Sequence, residues 1–292
     1  MRLDTPEGNL APTRRAIAGS FFVAGYAFAL SPPAAAAITT PADGLVIEEP
    51  VLGGAGGYQL PSYLARPDQA GRHPAVIVVN EVFGIHEYIK DICRRLAHAG
   101  YVAIAPDYFD RAGDPATLTD FDQIRQIVAT AHYEQVMGDT QGAVTFLVQN
   151  PHVNAHKLAI TGFCWGGNVV WMAAARFPQL KAATAWYGRL APPAQGDFMY
   201  EPGRPWPVDI AGQLHAPVLG LYGAQDQGIT VASVEQMRAA LAAAHDRTHS
   251  ELIVYPDAGH GFHADYRDSY NEVDARDGWT RMLAWFRAHG VS

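Results

Sequence analysis

The run Gly162-Phe163-Cys164-Trp165-Gly166-Gly167 constrains this chain more than any other stretch. The apolar segment Lys157-Leu158-Ala159-Ile160-Thr161 leads into it, and the helix-prone segment Asn168 to Arg176 leads out. The order is strand, sharp turn, helix. Glycines on both sides of one reactive side chain let the backbone turn tightly enough to thrust that side chain out at the sheet's end, the geometry called a nucleophile elbow. Here the exposed atom is sulfur. A cysteine at such a turn is also compatible with simple packing, so other segments must decide.

Those segments alternate. Residues 44–52 and 58–65 read as two opening strands joined through Gly53, Gly54, Gly56 and Gly57, a hairpin turn. Pro74 to Asn80 is a continuous apolar run, as in a central strand covered on both faces. The loop Glu81-Val82-Phe83-Gly84 leads to a helix stopped by Gly100, then to a strand at Tyr101–Pro106. Residues 117–150 carry helical patterning on two stripes, Phe121, Ile124, Ile127 and Val128, then Val136, Ala143, Phe146 and Leu147. Beyond the elbow come a strand at 180–187 and a Pro/Gly-rich loop at 188–214, whose length suits a lid or pocket wall. Strand 217–223, helix 231–245, strand 252–255 and helix 270–289 close the chain. This alternation predicts an α/β fold, a doubly wound, mostly parallel sheet with helices on both faces, in a single domain over 38–292.

Residues 1–37 are different material. Thr13-Arg14-Arg15 precedes an apolar stretch from Ala16 to Leu30, followed by Ser31-Pro32-Pro33 and Ala34 to Ala37. This pattern predicts a twin-arginine-like export signal, hence a periplasmic or secreted protein with no stable membrane span after cleavage; an uncleaved anchor is the competing reading. A formal charge of −8 without a Lys/Arg cluster speaks against nucleic acid as a partner. Two cysteines and scattered histidines give no metal-ligand spacing, so no metal is expected. Cys93 lies in a helix-like run and is expected to be a buried free thiol rather than a partner for Cys164. A monomer or small homo-oligomer is expected.

In such sheets ligands bind at the carboxyl ends of the strands. The elbow delivers Cys164, strand 217–223 delivers Asp226, and strand 252–255 delivers His260, with His263 as a rival in the same loop. The chain order nucleophile, acid, histidine is that of an α/β-hydrolase. A thiol attacks as thiolate, so Cys164 needs a base and gains from the helix N-terminus behind it. His260 can carry the proton, and Asp226 can fix its tautomer; taken alone, Asp226 also reads as a turn residue. The N–H groups of Trp165 and Val82 are the candidate oxyanion donors.

Together Gly162-x-Cys164-x-Gly166-Gly167, Asn80-Glu81-Val82-Phe83-Gly84, Ala105-Pro106-Asp107-Tyr108-Phe109, Asp226 and Gly259-His260-x-Phe262 resemble the dienelactone hydrolase family over about residues 44–290. The resemblance implies an α/β-hydrolase fold and cofactor-free hydrolysis of the enol-lactone carboxymethylenebutenolide to maleylacetate. It implies that Glu81 contacts the resting thiol and moves away when substrate binds; a loop-stabilising carboxylate is the alternative. It implies that Arg111 binds a substrate carboxylate. The family's second arginine position falls on Ala264, with Arg267 three residues further on. Phe83 and Tyr187 join Glu81 and Arg111 as candidate substrate-binding or regulatory residues. A broader carboxylesterase or thioesterase, and a noncatalytic binding protein on the same fold, are the alternative functions.

Overall fold

The computed structural model describes residues 38–292. The expected export signal at 1–37 lies outside the described residues. One nine-stranded sheet organises the rest, in the order β1-β3-β5-β4-β6-β7-β8-β9, with β2 also paired to β3. The strands are β1 (Leu45–Glu48), β2 (Val51–Gly53), β3 (Gln59–Pro67), β4 (His73–Val79), β5 (Val102–Pro106), β6 (Val153–Phe163), β7 (Leu180–Trp186), β8 (Val218–Gly223) and β9 (Glu251–Tyr255). From β5 through β4 to β9 every pairing is parallel, whereas β1, β2 and β5 each run antiparallel to β3. The arrangement is the α/β-hydrolase fold.

The helices are α1 (Glu87–His98), α2 (Phe121–Val128), α3 (Tyr133–Gln149), α4 (Trp165–Arg176), α5 (Val231–Ala243) and α6 (Glu272–Ala288). Because side chains alternate across a strand, β4 sends Ala75, Ile77 and Val79 into one core and Val76 and Val78 into the other. The first core is shared with α3, α4 and α5, and the second with α1 and α6. A strand covered on both faces has no use for polar residues, which is why Pro74–Val79 reads as unbroken hydrophobicity.

Two expectations shift. The opening strand is split at Glu49-Pro50, where proline offers no N–H to a ladder. The helical patterning at 117–150 belongs to two helices, each with one of the two stripes. Asp120 caps α2 by accepting from the Asp122 N–H at 2.9 Å. Glu201, from the 188–214 loop, accepts from the Tyr133 N–H at 2.9 Å and so caps α3 from outside. That loop is built around two short 3-10 turns, Pro207–Asp209 and Ala211–Gln213. Among the described residues no helix is long and apolar enough to cross a membrane.

Candidate active site

The turn between β6 and α4 has the geometry its glycines permit. Cys164 sits at φ 55°, ψ −114°, a conformation that L-residues seldom adopt and that costs roughly 1–3 kcal/mol, so it persists only where the surroundings enforce it. They do. A Cβ on Gly162 would lie 2.5 Å from the Gly166 carbonyl oxygen, and one on Gly166 would lie 2.5 Å from that of Val79. The Cys164 N–H donates to the Trp186 carbonyl at 3.0 Å, which ties the elbow to the end of β7. Trp165 is the first residue of α4, so its N–H has no acceptor within the helix. Among the described residues, neither it nor the Val82 N–H donates to a loop or cap carbonyl.

The loops after β8 and β9 are stitched together by the bonds Ala224 N–H to Tyr255 O (2.8 Å) and Gln225 N–H to Ala258 O (2.9 Å). Asp226 Oδ1 accepts from the Gly228 and Ile229 N–H groups, each at 2.8 Å, and its Oδ2 lies 2.8 Å from His260 Nδ1. The other ring nitrogen, Nε2, is 3.2 Å from Cys164 Sγ. An Nδ1–H donated to Asp226 leaves Nε2 facing the sulfur, the orientation a general base needs. Burial opposes a charge on the ring. The Asp226 carboxylate, the Cys164 sulfur and the hydrogen bonds to both outweigh burial, and they raise the His260 pKa to about 10. Burial likewise pushes Asp226 upward, but the His260 ring and the two loop N–H groups hold it below the usual carboxylate range. The Tyr187 ring stands edge-on to His260 at 5.2 Å.

Beside these three, Glu81 is completely buried. Its Oε1 accepts from Arg267 Nη2 at 2.8 Å, its Oε2 accepts from the Tyr266 hydroxyl, and His86 Nε2 stands 3.6 Å away. Phe83 packs under the Arg267 guanidinium at 5.0 Å. Burial works to raise the Glu81 pKa, and the Arg267 charge, His86 and Tyr266 together bring it down to about 2.

The sequence model of the dienelactone hydrolase family matches residues 60–290. The chain belongs to the dienelactone hydrolase family. A Methylorubrum extorquens protein named "Putative carboxymethylenebutenolidase" is 44% identical over 282 residues, 96% of this chain and 94% of that protein. An Escherichia coli K12 protein with the same name is 48% identical over 268 residues, 91% of this chain and 96% of its own length. A crystal structure titled as a putative dienelactone hydrolase from Klebsiella pneumoniae superposes with a TM-score of 0.77 at 47% identity, covering 83% of this chain and 98% of that one. Like the family, the chain is a hydrolase of lactone or ester bonds acting on small molecules.

Within this dienelactone hydrolase fold, Cys164, Asp226 and His260 come together as the sequence predicts, and His263 does not join them. His263 is buried, with Nδ1 2.6 Å from the Tyr88 hydroxyl and its ring 4.4 Å from Trp186. Burial and the Arg95 charge lower its pKa to about 3, so it stays neutral. Cys93 is a free, buried core residue. Glu81 departs from expectation, because Arg267 and Tyr266 take both its oxygens while His260 is the hydrogen-bonding neighbour of the Cys164 sulfur. Arg111 departs too. Both oxygens of Asp139 close its fork, at 2.6 and 2.7 Å, and it also donates to Ala55 O at 3.2 Å and stacks on Tyr58 at 4.1 Å. It fastens the turn before β3 to α3, and its charge is already matched.

Arg267, only noted in the sequence as displaced from the family position, reaches the site because two successive turns, Ala264 N–H to Gly261 O and Arg267 N–H to Ala264 O, fold the chain back. Tyr266 carries no sequence signal of its role.

The depressed Glu81 pKa is a stability statement. Its contribution is present above pH about 4.5 and lost as pH falls toward 2, because only the unfolded chain then takes up the proton readily. Glu81→Gln should therefore flatten the acid limb of unfolding free energy between pH 5 and 2 by about 3 kcal/mol, measured by urea denaturation. A limb as steep as that of the parent protein would count against the Arg267–Glu81 pair as its source.

Proposed function

We propose that the chain is a cysteine-dependent lactone hydrolase of the carboxymethylenebutenolidase type, with Cys164 as nucleophile, His260 as base and acid, and Asp226 as the group that orients His260. The observation that carries the reading is the line from Asp226 Oδ2 through His260 to Cys164 Sγ, at 2.8 and 3.2 Å, on a strained elbow. The thiol proton goes to His260 Nε2, and the sulfur attacks the lactone carbonyl carbon. The carbonyl electron pair moves onto oxygen, where the Val82 and Trp165 N–H groups are available as donors. Collapse of that intermediate breaks the ring C–O bond and releases an enolate, which takes the proton from His260 and leaves Nε2 free again. Water, deprotonated by His260, then attacks the thioester carbonyl, and the thiolate leaves with the carboxylate product formed.

Thiolate chemistry favours this substrate class. A tetrahedral intermediate bearing sulfur partitions by expelling its better leaving group; an enolate or phenolate departs unaided, whereas an amine needs protonation first. The names of the relatives agree with an enol-lactone. Assaying the full chain on dienelactone, 4-nitrophenyl acetate and a short acyl thioester tests the choice. The lactone is expected to exceed the others in kcat/KM by about tenfold or more. Equal rates on ester and thioester with no lactone turnover would move the assignment to a general esterase.

A further inference from the structure

We propose that Arg189 is the residue by which this site selects an anionic substrate, the Nε and Nη2 edge of its guanidinium taking a carboxylate of the molecule that Cys164 attacks. The proposal rests on the hydrolase reading above and names the residue that reading uses for specificity.

Arg189 is 8% exposed, and both Nε and Nη2 are buried with no hydrogen-bond partner among the described residues. Those two nitrogens form one edge of the planar guanidinium, and their N–H bonds run parallel, matched to the two oxygens of a carboxylate. A buried cation with open N–H groups is unfavourable on its own. Ligand-binding sites are where a fold keeps one.

Its position fits. Arg189 follows the carboxyl end of β7, two residues beyond Tyr187, whose ring stands against His260. The backbone there cannot wander. Gly188 lies so close to the first turn of α4 that a Cβ on it would come within 2.2 Å of the Gly167 carbonyl carbon. The Asn168 side chain, on that same turn, donates to the Arg189 carbonyl at 2.8 Å and accepts from Arg204 at 2.6 Å. Arg189 is thus anchored through its main chain to the helix that begins beside the nucleophile, while its side-chain edge is left unengaged.

The competing cations are engaged. Arg111 is closed by Asp139, and Arg267 by Glu81 and Tyr266. Arg204 Nε is also buried without a partner, but Nη2 on the same edge donates to Asn168 and the guanidinium is stacked on Trp206 at 4.1 Å, so its fork is not open. A carboxylate on the substrate would have to displace a buried carboxylate from Arg111 or Arg267, but would meet an open fork on Arg189.

Two esters matched in shape test this: mono-4-nitrophenyl glutarate, and 4-nitrophenyl 5-methylhexanoate, in which two methyl groups replace the carboxylate oxygens. Arg189→Gln is expected to lower kcat/KM for the glutarate ester by about 10- to 100-fold, mainly through KM, and to change the neutral ester by less than about threefold. Arg189→Lys, which keeps the charge but loses the fork, should recover part of the loss and retain full activity on the neutral ester. Equal losses on both esters, in both variants, would assign Arg189 to structure and overturn the proposal.

A second arm needs no turnover. Glutarate binding to Cys164→Ala protein, measured by calorimetry, should weaken at least about tenfold when Arg189→Gln is added. Unchanged binding would overturn the role of Arg189, whereas absence of hydrolysis by the parent protein would overturn the hydrolase reading alone.

Discussion

Replacing Cys164 by alanine is expected to lower kcat on every ester or lactone the protein hydrolyses by about 10⁴-fold or more, with the fold intact. The sulfur is the only protein atom in the proposed path that bonds to substrate, so no other side chain can take over the first step. What survives should be the smaller contribution of the oxyanion donors and of binding, which act without a nucleophile. The loss should not come from unfolding. The backbone strain at φ 55° is as acceptable to alanine as to cysteine, and the glycine contacts that enforce it are unchanged. Matched thermal unfolding of the two proteins, beside steady-state kinetics, separates the explanations.

The second large effect distinguishes two histidines three residues apart. His260→Ala should reduce kcat by about 10³-fold or more while moving stability little. His263→Ala should do the reverse, leaving kcat within several-fold and lowering stability by about 2–4 kcal/mol. The contrast follows from their surroundings. The His260 ring bridges a carboxylate and a sulfur and is raised to a pKa of about 10. His263 is stacked on Phe163 at 5.4 Å and Trp279 at 5.8 Å, bonded to Tyr88, and held neutral by a pKa lowered to about 3. Removing it leaves a cavity among aromatic rings and an orphaned tyrosine hydroxyl. Paired kinetics and urea unfolding on the two variants read both axes, and an inactive His263→Ala protein of normal stability would exchange their roles.

The parts of this site that were legible in the sequence are those that local covalent geometry dictates. Cys164 could be found because a strand must turn into a helix within a few residues there, and only glycine tolerates the contacts at 162 and 166. Asp226 and His260 could be found because parallel strands deliver their next loops to one end of the sheet. The triad and the α/β order therefore needed no long-range information. Pairings between distant residues did. Arg111 reads as a free cation until Asp139, 28 residues away, closes its fork. Glu81 reads as a partner for the thiol until the turns at 261–267 bring Arg267 across a separation of 186 residues. The start of α3 is capped by Glu201, whose carboxylate arrives from a loop 68 residues on. Arg189 carries no motif, and it becomes conspicuous only when its neighbours turn out to leave its guanidinium unengaged.

Turnover is expected to pass through a thioester on Cys164. The most direct measurement is mass spectrometry of the protein quenched in acid during hydrolysis of a slowly deacylated aryl ester, followed by peptide mapping. The account predicts an added acyl mass on the peptide containing Cys164, accumulating with the first burst of phenolate and absent from Cys164→Ala protein. A full burst of product with no acyl group on Cys164, or with the acyl group on another residue, would contradict it.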